Sequence, residues 1–153
     1  MNTSLCLIGQ VTYREADKDF DRLNHFKVEE AGEKVAILAL GDFYQRGEQL
    51  SAKIKAELGF TPTLINPRFA SGIDKELLES LSERHQMVIT MEDGILSGGF
   101  GEKIASFYGS SDMKVKNYGL DKKFYDRYDP NELLKEVGMT PVQIIADICN
   151  QIK

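Results

Sequence analysis

Arg68, in the stretch INPRFASGID that runs from residue 65 to 74, follows an apolar run directly and precedes a helical pattern. A guanidinium between a strand and a helix offers a planar fork of donors suited to a phosphate or a carboxylate. The same cation can instead pair with an acid, and Glu92 and Asp93 follow the next apolar run. The residues alone leave both readings open. A second candidate is GGFGEK, residues 98 to 103, where Gly98, Gly99 and Gly101 open a helical pattern. Glycines in that position can bring backbone N–H groups up to an anion. The nucleotide fingerprints nevertheless fail. A Walker loop places lysine directly after its last glycine, and here Glu102 intervenes. A dinucleotide loop follows its strand at once, and here six residues separate Met91 from Gly98. Close backbone packing, against this domain's own sheet or against another domain or subunit, is the reading that the glycines favour.

The remaining reactive side chains form no set. His25 falls in a polar arm and His85 at the end of a helical pattern, neither with a serine, cysteine or acid partner that the sequence identifies. A catalytic triad or general base is therefore not indicated, and His85 is expected to meet a helix C-terminus. Cys6 and Cys149 lack metal-ligand spacing, and Cys149, on the apolar stripe of the last helix, is expected to be a buried thiol. No metal site is expected. The run DKKFYDRYD, residues 121 to 129, mixes charges of both signs and reads as a solvated loop pinned by Phe124, Tyr125 and Tyr128.

The elements that must position these residues alternate between two periods. VAILALG (35 to 41) is a nearly continuous aliphatic strand of the type covered on both faces. FYQRGEQLSAKIKAELG places Leu50, Ile54 and Leu58 on one helical face and stops at Gly59. TPTLIN (61 to 66) and QMVITM (86 to 91) are further strands, with a helix between them that Asp74 can cap and whose Leu77, Leu78 and Leu81 face inward. A helix over 102 to 108 and a strand over 113 to 118 follow the glycines. Asp129-Pro130 and Thr140-Pro141 each fit a cap followed by proline at the first helical position, and the second helix carries Val142, Ile145, Cys149 and Ile152 on one stripe. Residues 26 to 30 add an edge strand. Strands alternating with helices of this length predict an α/β fold, a three-layer α/β/α arrangement around a mostly parallel five-stranded sheet. Residues 1 to 24 read as an arm or linker, and residues 25 to 153 as the domain.

The 153 residues suit one domain, which at this size buries roughly 70% of its unfolded surface without disulfides. A net charge of −5, with acids interleaved among the bases, argues against a nucleic-acid surface. No apolar run approaches the ~20 residues of a spanning helix, and the first ten residues lack the order of a signal peptide, so a cytoplasmic location is expected.

The order VAILALGDFYQRGEQ, TLINPRFASGID, VITMEDGILSGGFGEKI, VKNYGL resembles the C-terminal domain of the transketolase superfamily, and within it the 1-deoxy-D-xylulose-5-phosphate synthases. The resemblance runs from Phe26 to Lys153. It implies a transferase of isoprenoid precursor synthesis that uses thiamine diphosphate and magnesium to join pyruvate to glyceraldehyde 3-phosphate. It also implies that the cofactor is held by two other domains or by a partner subunit, and that the assembled enzyme is a dimer. This chain alone would then bind no cofactor and be inactive. Gly41-Asp42 continues with Phe43, where the cofactor-binding motif has glycine. The resemblance further implies a phosphate-binding role for Arg68, although Ala70, Ser71 and Gly72 stand where many synthases have a lysine and a proline. Two alternatives are a non-catalytic interaction module with an apolar surface around Gly98 to Phe100, and the matching domain of a transketolase or 2-oxoacid dehydrogenase beta subunit.

Overall fold

The computed structural model describes residues 22–126 and 129–152. Cys6, Tyr128 and the arm up to residue 21 lie outside them. Five strands, β1 (Lys27–Glu30), β2 (Lys34–Ala39), β3 (Thr63–Asn66), β4 (His85–Ile95) and β5 (Lys114–Leu120), form one sheet in the order β1-β3-β2-β4-β5. Only β1 runs antiparallel, against β3; the other pairs are parallel. The α/β class and the mostly parallel five-stranded sheet expected from the alternating periods are both present.

Alternation along β2 explains the three layers. Val35, Ile37 and Ala39 point to one face, where α1 (Tyr44–Leu58), α4 (Pro130–Glu136) and α5 (Pro141–Gln151) bury Leu50, Ile54, Leu133, Ile144 and Ile148. Ala36 and Leu38 point to the other, where α2 (Lys75–Leu81) and α3 (Phe100–Tyr108) bury Leu78, Ile104 and Tyr108. A strand covered twice cannot alternate with polar residues, hence the unbroken aliphatic run. The Tyr108 hydroxyl donates to the Leu78 carbonyl at 2.6 Å and ties α3 to α2. Burial pushes that phenol well above its usual range.

Helix ends follow the local chemistry. Asp74 caps α2, its Oδ1 accepting from the Leu77 N–H at 3.1 Å. Asp129 caps α4, and Thr140 with Gln143 forms a capping box on α5. Gly59 ends α1 in the left-handed region at φ 74°.

Three expectations need correction. The stripe of α5 is Ile144, Ile145 and Ile148; Val142 and Cys149 are exposed, so the thiol is not buried. The triplet of isoleucines outweighs the wider-spaced apolar set, because β-branched bulk fills the face against α1 and the sheet. Phe124 is fully exposed and pins nothing, whereas Tyr125 packs against the core. Strand β4 continues through Glu92, Asp93 and Gly94 to Ile95, with a register shift between Met91 and Ile95. Glycine and acids hid that extension, since neither favours a strand. Gly98 therefore follows its strand by two residues, not six.

Two glycine substitutions separate conformational from steric cost. Gly59→Ala meets nothing within 4 Å and should lower stability by about 1 kcal/mol through its positive φ alone. Gly47→Ala would put a Cβ 2.6 Å from the Ala39 Cβ, and overpacking should cost about 1–3 kcal/mol. Urea denaturation of both variants checks the order.

Candidate functional site

In a parallel sheet the loops after the strands gather at one edge, where ligands bind. Three of them carry the candidates here: Gly41-Asp42 after β2, Asn66-Pro67-Arg68 after β3, and Glu92-Asp93 at the end of β4. Because the chain moves from β2 out to β3 and then to β4 on the other flank, the switch in direction falls between β2 and β4. Asp42 and Asp93 meet at that crevice. Asp93 is half-buried, and its carboxyl is held above the usual carboxylate range, by burial first and by the neighbouring Asp42 second.

Arg68 sits on the other side of β2. It is one of three described non-glycine residues with a left-handed backbone, at φ 63°, a conformation that costs on the order of 1 kcal/mol. The turn is held by its own residues: the Arg68 N–H donates to Asn66 Oδ1 at 3.0 Å, and the Phe69 N–H to the Pro67 carbonyl at 2.7 Å. Lys103 of α3 reaches the loop from one side, donating to the Ala70 carbonyl at 2.8 Å. Asn24 holds it from the other, accepting from the Ser71 hydroxyl at 2.9 Å. Gly72 is so close to Asn24 that a Cβ would lie 2.3 Å from Nδ2.

The stretch 22–26, preceding β1, is therefore a strap across this loop. Its His25 Nδ1 lies 3.0 Å from Asp74 Oδ2, and the Phe26 N–H donates to the same oxygen at 2.9 Å. Phe26 also packs on Phe100 with ring centroids 5.9 Å apart. Strap and loop enclose a cleft of about 630 Å³ in which Arg22, His25, Lys27 and Arg68 face Asp74 and Glu76. Cations outnumber acids there, and the cleft suits an anion.

The second candidate resolves differently. Glu92 is buried at 5% exposure, and its two carboxylate oxygens accept from the Phe100 and Gly101 N–H groups, each at 2.9 Å. The anion position at the start of α3 is thus filled by the chain's own carboxylate. A Cβ on Gly99 would lie 2.7 Å from Glu92 Oε1, and one on Gly101 2.6 Å from the Thr90 hydroxyl oxygen, so both glycines are required by close approach inside the domain. Gly98 is exposed at φ 76°. Phe100 turns inward, with 2% exposure.

Sequence reasoning placed Arg68 at the edge but did not find Arg22, His25 or Lys27 beside it, since the strap's course depends on long-range bonds to Asp74. Glu92 was available as a partner for Arg68 and serves α3 instead; nothing local marks a cap that arrives from eight residues upstream. His85 lies at the opposite, amino edge and, as expected, meets a helix end, the Leu81 carbonyl of α2 at 2.9 Å. Among the described residues no group of three or more His, Cys, Asp or Glu side chains could hold a metal ion.

The chain matches the family "Transketolase, C-terminal domain" over residues 24–144. It is 33% identical over 148 residues to the 1-deoxy-D-xylulose-5-phosphate synthase of Shouchella clausii (strain KSM-K16), covering 94% of this chain and 23% of that protein. It is 38% identical over 115 residues to the synthase of the same name from Clostridium perfringens (strain 13 / Type A), covering 74% of this chain and 18% of that one. The chain thus spans about a fifth of the length of the curated relatives it matches. The fold is similar to the solved structure of a split gene transketolase, inactive beta4 tetramer, with a TM-score of 0.74 and 21% identity, over 94% of this chain and 45% of that one.

Two measurements probe this edge. Glu92→Gln removes one of the two carboxylate acceptors and should lower stability by about 1–3 kcal/mol, with the loss of amide protection concentrated in the first turn of α3; unchanged protection at Phe100 and Gly101 would deny the carboxylate its role. Asp42→Asn should lower the Asp93 titration, read by carboxyl NMR, without bringing it to the ordinary value, since burial is the larger cause.

Proposed function

The chain belongs to the transketolase C-terminal domain family, and we propose that it serves as that domain of a 1-deoxy-D-xylulose-5-phosphate synthase, joined to thiamine-diphosphate-binding domains or to a subunit that carries them. The assembled enzyme, a cytoplasmic dimer, condenses pyruvate with glyceraldehyde 3-phosphate for isoprenoid precursor synthesis. The cofactor supplies the carbanion chemistry and belongs to the other domains. Residues 25 to 153 form the module, with the strap from residue 22 folded against it. Gly98, exposed beside Gly99 and Gly101, lies on the face that packs against the rest of the assembly.

The contribution of this chain is to hold the phosphate of the aldehyde, through Arg68. The observation that carries this is the setting of Arg68: a residue with a strained backbone, in a loop pinned by Asn66, Asn24 and Lys103, lining a cleft with three further basic side chains. Strain kept at a sheet edge where ligands gather is the mark of a functional position, and a fork of guanidinium donors matches a phosphate dianion.

Purification of the chain with whatever accompanies it, followed by mass spectrometry, should bring down a larger thiamine-binding polypeptide in equal amount. In that assembly Arg68→Ala should raise the KM for glyceraldehyde 3-phosphate by about ten-fold or more, the loss of a charge-assisted contact, and leave the KM for pyruvate near its starting value. Equal effects on both substrates would remove the phosphate role from Arg68.

A further inference from the structure

The amino edge of the sheet, away from the Arg68 cleft, holds a hydrogen-bond relay whose directions are fixed by chemistry. A carbonyl only accepts, so His85 Nδ1, 2.9 Å from the Leu81 carbonyl, must carry a proton. In the neutral ring Nε2 is then bare. It lies 2.8 Å from the Thr63 hydroxyl, which must donate to it. The same hydroxyl oxygen accepts from the Gly32 N–H at 2.8 Å. The order is therefore Gly32 to Thr63 to His85 to Leu81, every donor pointing the same way. It links the β1–β2 turn, the start of β3 and the end of α2.

We propose that His85 is a pH-sensitive latch on the β1–β2 turn, closed when the imidazole is neutral and released when solvent protonates Nε2. An imidazolium has a hydrogen on Nε2, which the second lone pair of the Thr63 oxygen accepts beside the Gly32 N–H. The hydroxyl then loses the acceptor for its own proton, and Thr63 is only 4% exposed. Relief comes when the turn parts and water accepts that proton. Gly32 packs tightly on Thr61 and Pro62, where a Cβ would lie 2.0 Å from the Thr61 carbonyl oxygen.

The surroundings favour the neutral ring. Burial holds the imidazole below its usual range, opposed by the Leu81 carbonyl, reinforced by Arg84 on the α2 side and opposed again by Glu33 of the turn. Lys34 of β2 stands opposite His85 in the ladder, its ammonium 5.2 Å from the Phe60 ring centroid. The β3 segment presents the Thr63 hydroxyl. A histidine whose folded value lies below its unfolded one adds stability that is complete above the unfolded value of 6.5 and is lost as pH falls through and below it. The latch is thus shut at neutral pH and opens as the pH falls below that value.

What it would release is β1. That strand has four residues and an irregular register between Val28 and Glu30. Asp74 anchors its carboxyl-edge end through Phe26, and the Thr63–His85 relay holds the other together with the Glu33 N–H, which donates to the Thr61 carbonyl at 2.9 Å.

Amide exchange of the whole chain, followed by NMR from pH 7.5 to 5.0 and corrected for intrinsic rates, tests this. Gly32 should lose at least ten-fold in protection, with a midpoint that tracks the His85 ring proton, while Ile89 in the centre of β4 keeps its protection. Thr63→Val should leave Gly32 poorly protected at every pH, and His85→Gln should make its protection independent of pH. Protection of Gly32 that stays flat through the His85 titration would overturn the latch, as would a fall shared with Ile89 or retained in His85→Gln. Should His85→Gln fail to fold, wild type and Thr63→Val decide.

Discussion

A carboxylate withdrawn from water must be met by donors, and the carboxyl edge of this sheet is organised around two that are. Asp74 gathers the Leu77 N–H, the Phe26 N–H and His25; Glu92 gathers the N–H groups of Phe100 and Gly101. Each holds the start of a helix on the same face of the sheet, and Asp74 also draws in a distant piece of chain. Leaving either acid unmet would cost several kcal/mol, far more than the bends needed to satisfy it. The strap, the loop after β3 and the glycine-rich start of α3 take their courses from these two groups.

That arrangement decides where an added anion can go. The N-terminus of α3, which glycines and helix polarity would otherwise recommend, already holds an anion that belongs to the chain. The acids Asp42 and Asp93 make the switch point between β2 and β4 unwelcoming to a second negative charge. What remains is the cleft under the strap, where Asp74 is spent on its own donors and Arg68 is kept in a conformation that nothing but its surroundings would maintain. Its loop is held from α3 by Lys103 and from the strap by Asn24, so the loop that carries Arg68 is fixed from two elements besides its own strand.

Much of the fold was legible because it depends on local rules. Aliphatic β2, the face of α1 with Leu50 and Ile54, the stop at Gly59 and the caps Asp74, Asp129 and Thr140 all declare themselves within a few residues. The failures share one cause, which is tertiary choice. Glu92, Asp93 and Gly94 extend β4 because the neighbouring strand offers a ladder, against their own preferences. In α5 two stripes compete and only the packing selects Ile144 and Ile148 over Val142 and Cys149. At the site, Arg68 was identifiable from its place after a strand, while Arg22, His25 and Lys27 reach it through bonds to Asp74 spanning 48 residues for Phe26 alone. The synthase resemblance named the family but said nothing about which carboxylates were already engaged.

The central claim is that this chain receives an anion in the cleft beneath the strap and not at the glycine-rich helix start. Titrating the isotopically labelled chain with inorganic phosphate, and following backbone amides and arginine side chains by NMR, tests it directly. The claim requires saturable shifts at Arg68, with accompanying shifts at Arg22 and His25, and stationary amides at Phe100 and Gly101. Shifts centred on Gly98 to Gly101, with Arg68 unmoved, would contradict it.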